Sequence, residues 1–321
     1  MELSVAFLGT AASVPSARRS TACLLVRAGG DRLLFDCGEG SQRQMQRASG
    51  LVQVDDIYLT HFHADHYLGL PGLLQTYDLM DRREPLRIFG PPGLGEFFKS
   101  LQRLIGNRRY PIRLVELSEW EVVRHDNYEI HSFPVQHRVR AYGYALVEND
   151  RPGRFDPQRA RDLGVRFGPD FGLLQHGHAV EGSHGVVQPG QVMGEPRKGR
   201  RLVITGDTRP CDATRAAAHG ADLLIHDSSF VEADRERALE THHSTAAEAA
   251  ELAAESGVAM LALVHISARY HVGTVLEEAR AFMPDTVAPR DFDLIEIPFA
   301  ERGSPRLVDQ GARNPEPVPG A

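Results

Sequence analysis

Short apolar runs separated by Gly, Pro and Ser dominate the first sixty residues, and this pattern predicts strands. These runs cover residues 4–8, 23–27, 32–36 and 57–60. Further strands are predicted at residues 86–89, 130–135, 202–205, 223–226 and 260–265. Helical periodicity predicts helices at residues 67–80, 94–105, 245–255 and 275–282. The sequence therefore predicts a mixed α/β fold, which two sheets packed back to back with helices outside would satisfy.

One predicted helix carries a start signal in the sequence. Ser244 and Thr245 directly precede Ala246-Ala247-Glu248, which places a carboxylate in the first helical turn. The helix would begin immediately after His242 and His243, so these two imidazoles are expected at its N-terminal end.

Composition narrows the class of protein. The chain has 321 residues, of which 42% are hydrophobic and 25% charged, as expected for a globular protein. It has no apolar run approaching the roughly 18 to 20 residues that a membrane span needs, and no basic start precedes its first apolar run. We therefore predict a soluble cytoplasmic protein without a membrane partner. The three cysteines, Cys23, Cys37 and Cys211, lack paired spacing, which predicts reduced thiols.

A dense cluster of metal-binding residue types follows the predicted strand at 57–60. The run His61-Phe62-His63-Ala64-Asp65-His66 holds three imidazoles and one carboxylate within six residues. A buried ionised carboxylate is costly unless it is paired or coordinated, and Zn²⁺ accepts both imidazole nitrogen and carboxylate oxygen. In extended chain His61 and His63 point the same way, whereas Asp65 and His66 face a second position. The alternative is a solvated His-rich loop or a set of core histidines; the spacing favours two metals.

Three later residues could complete these sites, because each ends an apolar run. His137 follows residues 130–135, Asp207 follows 202–206, and His265 closes 260–264. A polar residue at a strand end is usually a cap or turn residue, so each is weak alone. Together with the cluster they complete two sites, which we predict as follows: His61, His63 and His137 for one metal, Asp65, His66 and His265 for the other, and Asp207 bridging both.

Two segments differ from the rest of the chain. Residues 151–201 are rich in Gly and Pro and hold nine basic and five acidic residues, an excess of four positive charges. The whole chain has a net charge of −7, so a polyanion would have to bind such a local patch. The alternative is a solvated loop with accidental charge. Residues 301–321 contain four prolines and few apolar residues, which predicts a disordered tail.

With these motifs in order, the chain resembles the ribonuclease Z family of tRNA 3′-processing endonucleases, within the metallo-β-lactamase fold. The resemblance runs through nearly the whole chain. Besides the His61–His66 cluster, it rests on Phe7-Leu8-Gly9-Thr10, Phe35-Asp36-Cys37-Gly38-Glu39-Gly40, Gly69-Leu70-Pro71-Gly72-Leu73-Leu74, Gly206-Asp207-Thr208-Arg209, His243-Ser244-Thr245 and His265-Ile266-Ser267-Ala268-Arg269-Tyr270. The last two motifs discriminate this family from other hydrolases of the fold.

The resemblance implies an architecture and a set of RNA contacts. It implies a four-layer αββα sandwich over residues 1–300, with residues 151–201 inserted as a protruding basic arm that binds the tRNA elbow. The substrate-binding residues expected from it are Arg19, Arg159, Arg161, Arg166 and Arg269. The chain also departs from the family pattern. Residues 15–20 keep Arg19 but lack the usual lysine and asparagine, and Asp227 stands where a longer glutamate is expected.

The resemblance also implies a reaction. Two Zn²⁺ ions, or Mn²⁺ or another divalent metal, would activate a hydroxide that attacks the phosphodiester and leaves a tRNA 3′-hydroxyl. Asp65 would orient that hydroxide or accept its proton, and His243, held by Asp227, would serve as the general acid. The predicted partners are precursor tRNA and a second copy of the chain in a homodimer.

Other functions fit parts of this pattern. A zinc phosphodiesterase or another small-substrate hydrolase of the same fold would use the same metals without a tRNA contact. A non-catalytic RNA-binding protein with a vestigial metal site would need neither seven ligands nor His243. A di-iron redox enzyme of this fold would normally carry glutamate where His63 stands.

Overall fold

The computed structural model describes residues 2–50 and 52–308. These residues form two compact units. The larger unit comprises the described parts of residues 1–125, 129–146 and 201–321, and the smaller one comprises residues 126–128 and 147–200. The smaller unit overlaps the segment 151–201 that stands out by its charge in the sequence.

The described residues contain seventeen strands. In chain order they are β1 (Leu3–Gly9), β2 (Cys23–Ala28), β3 (Asp31–Phe35), β4 (Asp56–Tyr58), β5 (Leu86–Gly90), β6 (Ile112–Glu116), β7 (Val122–Arg124), β8 (Tyr128–Pro134), β9 (Tyr142–Glu148), β10 (Val180–Gly182), β11 (Gly185–Val187), β12 (Arg201–Ile204), β13 (Leu223–Asp227), β14 (Met260–Val264), β15 (Thr286–Val287), β16 (Leu294–Glu296) and β17 (Arg306–Val308).

The described residues also contain ten α-helices and three 3₁₀ turns. The helices are α1 (Ser41–Ser49), α2 (Ala64–Tyr67), α3 (Leu70–Leu79), α4 (Leu94–Ile105), α5 (Pro157–Asp162), α6 (Pro169–Gln175), α7 (Asp212–Ala218), α8 (Arg235–Thr241), α9 (Ala246–Glu255) and α10 (Val272–Arg280). The 3₁₀ turns are Pro189–Gln191, Glu232–Asp234 and Ala300–Arg302.

Two large sheets form the centre of the larger unit. The first has the strand order β17-β16-β1-β2-β3-β4-β5-β6, and the second has the order β15-β14-β13-β12-β9-β8-β7. In the first sheet β3 to β6 are parallel, and in the second β12 to β15 are parallel. Parallel strands end at the same edge of a sheet, so the loops after them are brought together there.

Helices cover the outer face of each sheet. Helix α1 contacts β1, and α4 contacts β6; on the other side α9 contacts β13 and β14, and α10 contacts β15. The inner faces of the two sheets meet through aromatic rings. The Tyr58 ring stacks on Phe89 with centroids 4.6 Å apart, and Tyr144 of the second sheet lies 5.3 Å from Tyr58. The predicted four-layer αββα architecture is confirmed.

The residues of β4 show why this strand lies between two apolar layers. Ile57 belongs to the outer core beneath the helices, with Leu59 just after the strand, while Tyr58 points to the aromatic layer between the sheets. Successive side chains in a strand point to opposite faces, so a strand covered on both sides reads as an unbroken apolar run. The run at residues 57–60 has this pattern, and it ends directly before His61.

The predicted start of α9 is confirmed. The Thr245 hydroxyl accepts a hydrogen bond from the backbone N–H of Glu248 at 3.1 Å, and the Glu248 carboxylate accepts one from the N–H of Thr245 at 3.0 Å. This reciprocal capping box satisfies two N–H groups that the helix itself leaves unpaired. It also fixes the chain direction immediately after His243.

The smaller unit has its own apolar core although its sequence shows little periodicity. Helices α5 and α6 and the hairpin β10–β11 enclose seven buried apolar side chains: Ala160, Val165, Phe171, Leu174, Val180, Val187 and Val192. The ends of the unit are tied together, since the Arg200 guanidinium makes a bidentate contact with the Glu148 carboxylate at 2.7 and 2.6 Å. Buried bidentate pairs of this kind fix geometry strongly.

The ordered chain continues beyond residue 300, where the tail is predicted to begin. Residues Arg306–Val308 form the edge strand β17, which pairs with β16. The rest of the predicted tail, residues 309–321, lies outside the described residues. None of the helices in the described part of the chain has the length and apolar character needed to cross a bilayer.

The buried thiols lead to a first prediction. Cys23 and Cys37 are fully buried, and burial raises the pKa of Cys23 to about 12 and raises that of Cys37 well above its ordinary value. Because the thiolate is the reactive form, neither should react in the folded protein near neutral pH. Titration with a disulfide reagent should count at most one thiol, Cys211, in the native state and three in guanidinium chloride. Two or more fast native thiols would contradict this packing.

Candidate metal centre

The candidate site lies where strands of both sheets end. The run His61–His66 follows β4, and His63 occupies the position directly before the short helix α2. The other candidate residues also follow strands or precede a helix: His137 after β8, Asp207 after β12, Asp227 at the end of β13, His265 after β14, and His243 before α9. The sheet topology therefore brings together residues that are as far apart in the sequence as His61 and His265.

The first predicted ligand set forms one cluster. One ligand atom from each of His61, His63, His137 and Asp207 lies within 4.8 Å of all the others. His137 Nε2 is 3.2 Å from His63 Nδ1, and His61 Nε2 is 3.7 Å from Asp207 Oδ2. Three imidazole nitrogens and one carboxylate oxygen are thus grouped together, and this donor set would hold Zn²⁺.

The second predicted set forms an adjacent cluster around the other oxygen of Asp207. Oδ1 of Asp207 lies 3.3 Å from His66 Nε2 and 3.4 Å from His265 Nε2. Asp65 Oδ2 lies 3.2 Å from the same His265 nitrogen and 3.5 Å from His66 Nε2. Because Asp207 contributes one oxygen to each cluster, its carboxylate is placed to bridge two ions.

Hydrogen bonds on the opposite ring nitrogens fix the orientation of four imidazoles. The Nδ1 atoms have the following partners: Thr60 Oγ1 at 3.0 Å for His61, Asp36 Oδ2 at 2.7 Å for His66, the backbone oxygen of His242 at 3.0 Å for His137, and Ser229 Oγ at 2.8 Å for His265. With Nδ1 occupied, each ring presents Nε2 to the cluster. This is the usual arrangement around protein metal sites, where outer partners set the tautomer and the ring direction.

Backbone geometry near the site is unusual at several positions. Gly206 has φ +64° just before Asp207, and a Cβ built on it would lie 2.8 Å from the Thr60 side chain. His265 and Asp36 have φ of 57° and 56°, which is rare for residues other than glycine. Such strained residues persist only when the surroundings hold them, and they concentrate at functional sites.

The electrostatics of the site favour neutral imidazoles in the first cluster and ionised carboxylates throughout. Burial, together with the nearby His66, holds the pKa of His61 well below its ordinary value, and burial also lowers the pKa of His63 and His137. Burial raises the pKa of Asp207, but His265 and His66 outweigh it and hold that pKa well below its ordinary value. Neutral imidazoles beside ionised carboxylates are the protonation states in which these groups bind metal.

Several buried polar atoms of the two clusters have no hydrogen-bond partner in the described part of the chain, as expected if these residues bind metal. Among the described side chains, His61 Nε2, His66 Nε2 and Asp207 Oδ1 are buried and lack a hydrogen-bond partner. A buried polar atom without a partner costs about 1–3 kcal/mol, and all three point into the two clusters. A cation at each position would satisfy them, and the set of five imidazoles and two carboxylates suits Zn²⁺.

Comparisons with known proteins agree with this arrangement. A profile of the metallo-beta-lactamase superfamily matches residues 17–241. The chain is 48% identical to ribonuclease Z of Natronomonas pharaonis over 307 residues, which cover 94% of the chain and all of that protein. It is 49% identical to ribonuclease Z of Myxococcus xanthus over 270 residues, covering 84% of the chain and 88% of that protein. The chain belongs to the ribonuclease Z family.

A solved structure of a relative supports the family's fold in this chain. The short form of human tRNase Z superposes with a TM-score of 0.66 at 26% identity and covers 92% of the chain and 99% of its own length. The metallo-β-lactamase fold implied by the sequence motifs is therefore confirmed. The assignment of individual side chains to metal or substrate remains a prediction for this member of the ribonuclease Z family.

The predicted general acid lies beside the second cluster. His243 Nδ1 is 2.7 Å from Asp227 Oδ2, and the His243 ring stacks on His265 with centroids 5.2 Å apart. Aspartate is one methylene shorter than the glutamate expected in ribonuclease Z proteins, yet its carboxylate reaches the ring. Burial lowers the pKa of His243, but the Asp227 charge outweighs it and raises that pKa above its ordinary value. A raised pKa keeps more of the ring in its acidic form.

The predicted RNA contacts fall into three groups. Arg269 is exposed in the loop that follows His265. Arg159, Arg161 and Arg166 are exposed on the smaller unit, where Arg159 Nε also donates to the backbone oxygen of Gln191 at 3.1 Å. Arg19 is half-buried, and its guanidinium donates to Thr10 Oγ1 at 2.7 Å and to the backbone oxygen of Pro289 at 3.0 Å.

Three residues that contact the clusters are not among the predicted site residues: Asp36, Thr60 and Ser229. The Asp36 carboxylate bonds His66 and accepts from the Thr60 hydroxyl at 2.9 Å. The Ser229 hydroxyl lies 2.7 Å from Asp227 Oδ1 and connects that carboxylate with His265. Asp36 could have been found, since it is a carboxylate at the last position of the strand predicted at residues 32–36. Nothing in the sequence distinguishes the two hydroxyl residues from ordinary turn residues.

Proposed function

We propose that this chain is a zinc-dependent endoribonuclease that removes the 3′ trailer from precursor tRNA and leaves a tRNA 3′-hydroxyl. The observation that carries the proposal is the double cluster around Asp207 with the His243–Asp227 pair beside it. Its relatives at 44–49% identity over most of their length are named ribonuclease Z, which supports this substrate and reaction.

The residues that would hold the ions are the two clusters described above. His61, His63 and His137 would bind one ion, Asp65, His66 and His265 the other, and Asp207 both. When bound, two divalent cations lower the pKa of water and neutralise charge on the non-bridging phosphate oxygens. Imidazole and carboxylate ligands favour Zn²⁺, and Mn²⁺ accepts the same ligand types.

Asp65 would act on the attacking water. Its Oδ2 accepts a hydrogen bond from the backbone N–H of Ser13 at 3.1 Å, and His265 Nε2 lies 3.2 Å away. Burial raises the pKa of this carboxyl, but the hydrogen bond from His265 and the nearby imidazoles outweigh it and lower the pKa. The carboxylate is therefore ionised at neutral pH, and it can orient the nucleophile and accept its proton.

His243 would protonate the departing 3′ oxygen. Its ring is held at Nδ1 by Asp227, so that Nε2 is the atom left to face the substrate. The side chain is 14% exposed, which fits a residue at the rim of a site that the RNA covers. Asp227 is fully buried and accepts hydrogen bonds from the N–H of Ser229 at 2.9 Å and from the His243 ring, so its position is fixed.

Replacing His243 by alanine separates this role from metal binding. A ribose 3′ oxygen is a poor leaving group that needs a proton, whereas p-nitrophenolate leaves without one. We therefore expect kcat for precursor tRNA to fall by about 10²–10⁴-fold, the usual contribution of a general acid. Hydrolysis of bis(p-nitrophenyl) phosphate should change by less than about threefold, and bound metal should be retained.

The matched control for this variant is His219→Ala, which removes an exposed imidazole at the end of α7. It should leave both activities unchanged. Equal losses on the two substrates in His243→Ala would contradict the general-acid role and point to a disturbed metal site.

Cleavage of a labelled precursor tRNA with a 3′ trailer tests the function itself. The intact protein should cut beside the discriminator base, and Asp65→Ala should lose this activity. Product ends should be a tRNA 3′-hydroxyl and a trailer 5′-phosphate. If metal is bound and bis(p-nitrophenyl) phosphate is hydrolysed but no precursor is cut, the chain is a small-substrate phosphodiesterase instead.

The proposal includes a homodimer that acts in the cytoplasm, as the resemblance to the family implies. Light scattering of the purified chain would show a mass near 71 kDa for a dimer of the 35.5 kDa chain. A monomer that retains full precursor cleavage would remove the dimer from the proposal and leave the reaction unchanged.

A further inference from the structure

A half-buried carboxylate outside the metal centre, Asp291, holds both ends of the loop at residues 10–20. Asp291 lies in the turn between β15 and β16. Its Oδ1 accepts from the Thr10 hydroxyl at 2.8 Å, and its Oδ2 accepts from the backbone N–H of Ser20 at 2.6 Å. The Gln44 side chain of α1 donates to the same Oδ2 at 2.8 Å. One side chain therefore joins the start of the loop, its end and the neighbouring helix.

Arg19 strengthens this anchor from inside the loop. Its Nη1 donates to the Thr10 hydroxyl, which in turn donates to Asp291, and the same nitrogen also donates to the backbone oxygen of Pro289. The negative charge of Asp291 favours the guanidinium, although burial lowers the pKa of Arg19. Through these two bonds the Arg19 Nη1 atom links the loop to Thr10 and to the turn that carries Asp291.

The turn that carries Asp291 is itself fixed to the first sheet. The backbone N–H of Phe292 donates to the backbone oxygen of Phe7 at 2.6 Å, and the backbone N–H of Phe7 donates to the backbone oxygen of Asp293 at 3.0 Å. The Arg47 guanidinium lies 4.5 Å from the centre of the Phe292 ring. The turn is thus held by contacts with β1 and α1. Asp291 therefore has a fixed position from which it can hold the loop.

The far side of the loop reaches the metal centre. The backbone N–H of Ser13 donates to Asp65 Oδ2 at 3.1 Å. The N–H of Ile266, the residue after His265, donates to the oxygen of Thr10 at 3.3 Å, and the N–H of Ala12 donates back to Ile266 at 3.4 Å. The loop therefore contacts Asp65, a predicted ligand of the second cluster, and Ile266, the residue after the predicted ligand His265.

We infer that Asp291 is a positioning residue for phosphodiester hydrolysis, which acts by holding the loop at residues 10–20 so that Ser13 orients the Asp65 carboxylate. The inference rests on the proposed function only in taking Asp65 as a ligand and a reacting group. Asp291 makes no contact with the clusters itself. Its effect passes through the backbone of the loop. The same inference predicts that the main role of Arg19 is to hold the loop in place and not to bind RNA.

The test is Asp291→Asn, with Asp291→Ala as a second and stronger variant. Asparagine keeps the size but loses the charge, and its amide nitrogen cannot accept the hydrogen bond of Thr10 or Ser20. The control is Asp78→Asn, because Asp78 anchors a different loop in the same way and accepts from the backbone N–H of Arg109 at 2.6 Å. All variants are measured as purified full-length protein loaded with Zn²⁺.

Three measurements decide the outcome. For bis(p-nitrophenyl) phosphate, kcat should fall by about tenfold with KM unchanged, since outer partners of metal ligands contribute 10- to 100-fold. Zinc affinity in competition with a chelator should weaken by about tenfold. Amide hydrogen exchange in the peptide that contains Ser13 should accelerate, while Asp78→Asn changes none of the three.

Unchanged kcat and zinc affinity in both Asp291 variants would overturn the inference, even if exchange in the loop accelerates. An equal loss in Asp78→Asn would also overturn it, because the effect would then be general destabilisation. A raised KM with unchanged kcat would assign the loop to substrate contact alone. If the intact protein cuts no precursor tRNA, the proposed function fails, but zinc affinity and exchange still decide the role of Asp291.

Discussion

Replacing Asp207 by alanine is expected to remove both metal ions together and to abolish hydrolysis of every substrate. Its two carboxylate oxygens lie in different clusters, Oδ2 near His61 and Oδ1 near His66 and His265. The variant takes away the one ligand that both clusters share and leaves several buried imidazoles facing each other. Outer partners of metal ligands alone contribute 10- to 100-fold to metal affinity. Loss of a shared ligand should therefore exceed about 100-fold for each ion.

The measurement is metal content after gel filtration, followed by single-turnover cleavage of precursor tRNA and hydrolysis of bis(p-nitrophenyl) phosphate. The matched control is Asp212→Ala, which removes an exposed carboxylate five residues further along. It should bind metal as the unchanged protein does. An Asp207→Ala protein that retains one ion per chain would show that the clusters bind independently and that Asp207 belongs to only one of them.

Removal of the smaller unit is expected to abolish cleavage of precursor tRNA while small-substrate hydrolysis continues. All residues of the two clusters and the His243–Asp227 pair lie in the larger unit. The smaller unit carries the exposed Arg159, Arg161 and Arg166, and affinity for a nucleic-acid backbone grows with each phosphate that is neutralised. We expect kcat/KM for precursor tRNA to fall by at least about 100-fold and hydrolysis of bis(p-nitrophenyl) phosphate to change by less than about twofold.

The structure shows where the deletion can be made. The backbone N–H of Arg151 donates to the oxygen of Arg197 at 2.8 Å, and the N–H of Arg197 donates to the oxygen of Arg151 at 2.9 Å. Replacing residues 152–196 by Asn-Gly would close this pair as a two-residue hairpin turn. A second variant with Arg159, Arg161 and Arg166 changed to Gln keeps the unit folded and should reduce the salt dependence of binding. In its control variant three exposed arginines of the larger unit are changed to Gln: Arg83, Arg103 and Arg113.

Two results would contradict this prediction. Full precursor cleavage by the deletion variant would show that the smaller unit does not bind the substrate. A parallel loss of bis(p-nitrophenyl) phosphate hydrolysis would show that the deletion disturbs the catalytic unit itself.

Much of the fold could be predicted because many of its strands and helices have a recognisable local pattern of apolar and polar residues. Helix α4 was predicted at residues 94–105, where the structure has it, and β1 and β14 were predicted to within one residue at each end. Helix α1 was missed, since its sequence Ser-Gln-Arg-Gln-Met-Gln-Arg-Ala-Ser buries few side chains and has little apolar content. Strand β17 was assigned to the tail, because its pairing with β16 depends on tertiary contact.

The site was predictable where one sequence cluster gave the chemistry and strand ends gave the rest. The clusters that the structure forms contain the seven side chains predicted as ligands. The outer partners were not predictable, because a threonine such as Thr60 becomes a partner of His61 only once neighbouring strands are aligned. The same holds for Arg19. Its motif indicates an RNA contact, whereas its partners Thr10 and Pro289 are determined by the position of a turn 270 residues away.

The closed ends of the smaller unit have a consequence for how such proteins diversify. Glu148 and Arg200 meet through a bidentate contact, so the chain leaves the unit beside the point where it enters. Evolution could therefore lengthen, shorten or exchange the 51 residues between them without altering strand order or register in either large sheet. A hydrolytic centre built on the sheets could acquire new substrates by grafting at this one junction.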